Sequence, residues 1–96
     1  MGENLYANIV SDISKCDVNE IVEATKFWYN EVLKYNFNKP GFSFSTGHFT
    51  QVVWKSTKEV GFGVAYSVER RECYIVANYY PAGNYQGKFT QNVLKK

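Results

Sequence analysis

The sequence predicts an α+β domain, with helices packed on an antiparallel sheet. Three observations carry that class. A capped helical pattern runs from Asp17 to Asn36. Two alternating stretches, Val60 to Val68 and Cys73 to Tyr80, are joined by the charged tip Glu69-Arg70-Arg71-Glu72. A third alternating stretch, Gly47 to Trp54, precedes them and holds the only histidine. With short connections, these three stretches read as an antiparallel meander.

The 96 residues allow one domain, spanning 1–96. A content of 45% hydrophobic and 18% aromatic residues excludes a disordered chain. The net charge is +2, with acids and bases mixed, which argues against a dedicated nucleic-acid surface. No apolar run approaches the length of a membrane span. Cys16 and Cys73 sit in no paired metal-ligand spacing; they could make one bridge, but nothing in the sequence brings them together. That usage leans towards a reducing compartment.

Taken in order, Leu5, Ile9 and Ile13 recur every fourth residue, which predicts a short helix within Asn4 to Ser14. Ser11 to Cys16 is polar and reads as a loop. Asp17 is an N-cap, and Glu20 stands three residues on, as a capping box prefers. Ile21, Thr25, Trp28, Val32 and Tyr35 form the helix's apolar stripe, widened by Val22, Tyr29 and Leu33. Pro40-Gly41 enforces a turn, and Phe42 to Thr46 is a loop.

In Gly47 to Trp54, His48, Thr50, Val52 and Trp54 would share one strand face. Lys55 to Glu59 is a charged turn. The next strand has a bulky face (Val60, Phe62, Val64, Tyr66, Val68) and a small one (Gly61, Gly63, Ala65, Ser67). The small face predicts close packing of a helix or backbone. Pro81, Gly83 and Gly87 break the tail into turns, and Val93-Leu94 docks it.

Two acids stand out as site candidates. Glu31 falls one turn after Trp28 and one before Tyr35, so it borders the aromatic stripe. A carboxylate there costs free energy unless it is paired. Glu3 lies in Gly-Glu-Asn-Leu near the chain start. With His48, these would make a set of two carboxylates and one imidazole, in which an acid and a base could share a substrate proton.

The same residues carry a family resemblance. Gly47-His48-Phe49-Thr50-Gln51-Val52-Val53-Trp54 resembles the first signature of the CAP superfamily, the cysteine-rich secretory, antigen 5 and pathogenesis-related proteins. Tyr79-Tyr80-Pro81-Ala82-Gly83-Asn84 resembles the second. Gly2-Glu3-Asn4-Leu5 and Phe27-Trp28-Tyr29-Asn30-Glu31 resemble two further family boxes, in the family's order. The resemblance implies an α-β-α sandwich, here lacking its first helix and strand. It implies a cavity built from Glu3, Glu31 and His48, without the family's other histidine. It therefore implies at most weak zinc at His48 and no other cofactor.

The loop Asn38-Lys39-Pro40-Gly41-Phe42-Ser43 resembles the sterol-binding loop of yeast-type members. Phe42, Phe44 and Phe49 fit the spacing of a caveolin-binding motif. Pro40, Gly41, Phe42, Phe44 and Phe49 are thus the expected lipid contacts. Phe62 and Ala77 stand where secreted members carry a sheet disulfide, so the chain resembles the Golgi-associated, intracellular branch. That branch associates with acidic membrane surfaces and self-associates. The expectation is a non-enzymatic lipid- or sterol-binding module, peripheral to a Golgi-like membrane, with a secreted location as the alternative. The competing functions are a His/Glu-dependent hydrolase and a partner-dependent fragment without activity of its own. A sheet short of cover is also expected to be marginally stable.

Overall fold

A computed structural model of the chain describes residues 1–95. Strand β1 (Gly2–Ile9) leads through a short 3-10 turn to helix α1 (Val18–Tyr29). A second 3-10 turn, Asn30–Lys34, extends that helix, and a long loop reaches helix α2 (Gly47–Val53). Strands β2 (Glu59–Ser67) and β3 (Glu72–Tyr80) form a hairpin, and helix α3 (Phe89–Asn92) closes the order. The sheet order is β1-β3-β2, antiparallel throughout.

The α+β class holds, but two elements exchange identities. The stretch expected to be a helix before Ser14 is strand β1, with Leu5 opposite Val76 and Asn8 opposite Cys73. Its helix-facing side carries Asn4, Tyr6 and Asn8, while Leu5 and Ile9 lie 62% and 74% exposed. Polar residues are tolerated on the covered face because they are paired. Asn4 Nδ2 donates to the Tyr79 hydroxyl at 3.1 Å, and Asn8 Nδ2 donates to Glu20 Oε1 at 2.9 Å. The stretch expected to be a strand at His48 is helix α2. Phe49, Thr50 and Gln51 are buried in succession, which a two-sided strand of alternating faces does not require and a wedged short helix does.

Helix α1 starts where expected, with the Asp17 carboxylate accepting the Asn19 N–H at 3.0 Å. Glu20 does not close a capping box, because its carboxylate is committed to Asn8. Ala24 and Trp28 bury against Cys73, Ile75, Ala77 and Tyr79 of β3. The Trp28 indole N–H donates to the Leu5 carbonyl at 3.0 Å, tying α1 to β1. Leu33 and Val22, expected in the stripe, are 81% and 49% exposed. The 3-10 turn after Tyr29 changes the helical phase and rotates Leu33 outward. A second cluster of Tyr35, Phe49, Trp54, Phe89 and Val93 joins α2 to α3.

Cys16 and Cys73 form a disulfide, with Cα atoms 5.3 Å apart. This is the one bridge that two cysteines allow, and the fold supplies the approach that the sequence did not indicate. The reason is β1: it runs beside β3, and the following turn returns residue 16 to the helix side.

The helices cover one sheet face. On the other, Leu5, Ala7, Gly63, Ala65, Tyr74 and Val76 line an apolar hollow of about 570 Å³. Among the described residues nothing packs on the small face of β2, contrary to the close packing expected there.

Candidate functional site

Glu31 and His48 come together. The 3-10 turn after α1 turns the Glu31 carboxylate towards the start of α2. Its Oε2 lies 2.8 Å from His48 Nδ1, and its Oε1 accepts the Phe49 N–H at 2.9 Å. One carboxylate thus orients the imidazole and satisfies a free amide at the helix start. A carboxylate only accepts, so Nδ1 carries the proton; in the neutral ring Nε2 is then the acceptor. The imidazole also lies nearly parallel to the Trp28 ring, with centroids 6.4 Å apart and planes 19° apart.

Around this pair a set of amides fixes the backbone. Asn84 sits at φ 61°, a left-handed conformation that asparagine tolerates. Its Nδ2 donates to the Gly47 carbonyl at 3.0 Å, and its Oδ1 accepts the Thr50 hydroxyl at 2.6 Å. Asn4 Nδ2 donates to the His48 carbonyl at 3.2 Å. Gln51 is buried, accepts the Gly83 N–H at 2.8 Å and donates to Thr57 at 3.2 Å. A Cβ at Gly83 would stand 2.8 Å from Gln51 Nε2 and 2.9 Å from the Trp54 ring, so only glycine lets the tail approach α2 here. Burial raises the Tyr79 phenol above its ordinary pKa, partly offset by donation from Asn4.

Glu3 is exposed and shares with His48 a hollow of about 180 Å³, also lined by Asn4, Phe42, Phe44, Gly47 and Asn84. Glu31 reaches this hollow only through the imidazole. Among the described residues no group of three or more His, Cys, Asp and Glu is placed to hold a metal. The donor set therefore does not fit a zinc centre, which needs at least three protein ligands. Neither cysteine is a nucleophile, since each is bonded to the other.

The loop expected to take lipid lies next door. Pro40, Gly41 and Phe42 line a hollow of about 510 Å³ with Asn84, Gln86, Gly87, Phe89 and Thr90. Phe42 and Asn84 belong to both hollows, so the loop and the His48 site share a wall. Phe42 and Phe44 meet edge to face at 5.4 Å and are 54% and 93% exposed. Phe49 is a correction: it is 2% exposed and packs between Tyr29 and Tyr35 in the core. Placing residues 47–53 on a helix turns its ring inward, away from the loop.

Sequence reasoning missed Thr50, Gln51 and Asn4 as parts of this site. The available signal was their polarity within otherwise apolar stretches, which predicts buried hydrogen bonding. Asn84 lies within the second signature, and nothing in the sequence alone assigns it this role.

Comparison with known proteins identifies the family and the fold. The model of the family described as "CAP: Cysteine-rich secretory protein family" matches residues 3–79. Human Golgi-associated plant pathogenesis-related protein 1 is 49% identical over 74 residues, covering 75% of this chain and 47% of that protein. Protein PRY2 of Saccharomyces cerevisiae is 51% identical over 67 residues, covering 70% of this chain and 20% of that protein. The salivary antigen-5 of Dipetalogaster maximus is 39% identical over 93 residues, covering 92% of this chain and 37% of that protein. The chain thus spans less than half the length of these relatives. Among solved structures, BmVAL-1 superposes with a TM-score of 0.74 at 32% identity, covering 88% of this chain and 45% of that one.

Proposed function

Because this chain belongs to the CAP family, the cysteine-rich secretory protein family, we propose that it is a non-enzymatic module that binds a sterol or another lipid. The observation that carries this reading is the hollow at Pro40, Gly41 and Phe42. It has the size of a small-molecule site and joins aromatic walls, Phe42 and Phe89, to the neutral polar groups of Asn84, Gln86 and Thr90. Proline and glycine hold Phe42 and Phe44 on a loop without a partner strand, where their exposed rings attract apolar ligands. The polar groups are suited to orient a hydroxyl.

The His48–Glu31 pair favours a second reading, a hydrolase, since a carboxylate-oriented imidazole is half of a nucleophile-activating arrangement. The ring nitrogen left over has no hydroxyl or thiol bonded to it among the described residues, so the binding reading is preferred. Zinc, if it binds, does so weakly at His48.

The module is read as acting at a membrane surface. No described helix is long and apolar enough to cross a membrane. The net charge of +2 suits weak attraction to acidic lipid. A Golgi-associated or a secreted location is proposed, and the Cys16–Cys73 bond favours the oxidising side of the membrane in either case. A photoreactive sterol tests the site. Labelling should map by mass spectrometry to residues 40–42 and 84–90; saturable labelling confined to the bare sheet face would reject it.

A further inference from the structure

The small hollow beside His48 carries an inference separate from the lipid site. Its side-chain nitrogens are already committed as donors. The Asn4 amide nitrogen donates to the His48 carbonyl and the Tyr79 hydroxyl, and the Asn84 amide nitrogen to the Gly47 carbonyl. His48 Nδ1 is held by Glu31, which leaves Nε2 of the neutral ring with its lone pair. The Asn4 amide oxygen takes no hydrogen bond among the described residues, and Asn4 lines the hollow while only 2% exposed. Glu3 adds a carboxylate, and no lysine or arginine among the described residues lines the hollow. Two aromatic rings complete it. Phe42 and Phe44 meet at 81°, like adjoining walls of an aromatic cage.

We propose that this hollow binds a small organic cation, a primary ammonium on a short alkyl chain. An ammonium has three N–H donors and no acceptor, which matches the three acceptors Glu3, His48 Nε2 and Asn4 Oδ1. An anion would meet the Glu3 carboxylate and no basic side chain. The positive charge is favoured by that carboxylate and by the faces of the aromatic rings. Glu31 contributes from behind the imidazole, since its bond to Nδ1 polarises the ring and strengthens Nε2 as an acceptor. A zinc ion needs three protein ligands closing to bond length, whereas an ammonium is held at hydrogen-bond reach. At about 180 Å³ the hollow is smaller than the roughly 300 Å³ at which drug-sized sites begin, so the ligand is small. The selection rests on the lining of the hollow and on no bare sheet face or edge.

Amide chemical-shift titration of the 96-residue chain with n-butylammonium chloride, in low salt, tests this. The shifts should saturate with a Kd on the order of 1 mM and centre on residues 3–4, 47–48 and 84. 1-Butanol has the same alkyl chain without the charge, and should give no saturable shift there. Tetramethylammonium keeps the charge but has no N–H, and should bind at least about threefold more weakly. Glu3→Gln removes the charge from an exposed side chain and should weaken butylammonium binding about threefold to fivefold. Phe44→Ala, at a ring 93% exposed, should weaken it about threefold. Neither side chain is part of the core, and the amide spectrum reports directly that both variants are folded. Glu69→Gln, at the exposed hairpin tip, should change nothing. The proposal is overturned if butylammonium gives no saturable shift, or if butanol or tetramethylammonium binds as tightly. It is equally overturned if Glu3→Gln or Phe44→Ala binds like wild type, or if Glu69→Gln weakens binding as much. Shifts centred on residues 86–90 would put the amine in the lipid hollow and overturn it too.

Discussion

Glu31 and His48 are bonded at 2.8 Å, and the same carboxylate accepts the Phe49 N–H. The side chain is 17% exposed, so the contacts are shielded from water. Glu31→Ala would orphan an amide and free the imidazole, and should lower stability by about 2 kcal/mol. Glu31→Gln keeps an acceptor for Phe49 and should lose less. Urea unfolding with an unchanged m-value measures both; equal stabilities for wild type and Glu31→Ala would show that the pair is dispensable for folding.

Tyr79 predicts an alkaline effect. Burial holds its phenol above the ordinary tyrosine pKa of about 10. The folded state therefore keeps this proton after the unfolded state has lost it. The resulting stability is fully present below pH of about 10 and falls as pH rises through the folded pKa. Tyr79→Phe removes the titration. The stability difference between the two proteins should narrow above pH of about 10; a difference that is flat with pH would contradict the assignment.

The Cys16–Cys73 bond closes a separation of 57 residues. Chain-entropy reasoning gives such a loop about 4 kcal/mol of stabilisation. For a domain with one bare sheet face that is a large share of the total. Reductant should lower the urea midpoint sharply in wild type and leave Cys16→Ser with Cys73→Ser unaffected; equal midpoints for oxidised and reduced wild type would show that the bond adds nothing.

Much of this was legible in the sequence, and the errors share one cause. The β2–β3 hairpin was readable because alternation and a charged tip agree. The Asp17 cap was readable because capping is local. The approach of Glu31 to His48 was readable because a carboxylate beside an aromatic stripe needs a partner. Residues 4–14 and 47–54 were misread because their periodicity is short and tertiary contacts overrode it. In β1 the buried position is Asn4, and the helix-facing Asn4 and Asn8 have partners, Tyr79 and Glu20, that lie elsewhere in the chain. In α2 the β-branched residues follow a helical path because Glu31, Asn84 and Gln51 hold that segment. Phe49 was misplaced as a consequence. The disulfide stayed hidden for the same reason, since it depends on β1 being a strand.

Zinc should bind weakly. Only Glu3 and His48, of the candidate ligands, face the small hollow, and Glu31 is spent on the far side of the imidazole. Calorimetry should detect no submicromolar site, and submicromolar affinity lost in His48→Ala would overturn this.

The measurement that most directly tests the lipid reading is equilibrium sterol binding by wild type and Phe42→Ala, with circular dichroism confirming that both are folded. Phe42 walls both hollows and is half exposed. Covering its ring is worth about 1.5–3 kcal/mol, so Phe42→Ala should bind about tenfold to a hundredfold more weakly. Saturable binding by wild type with that loss in the variant is the predicted result. Equal affinities in the two folded proteins, or no binding by wild type, would contradict it.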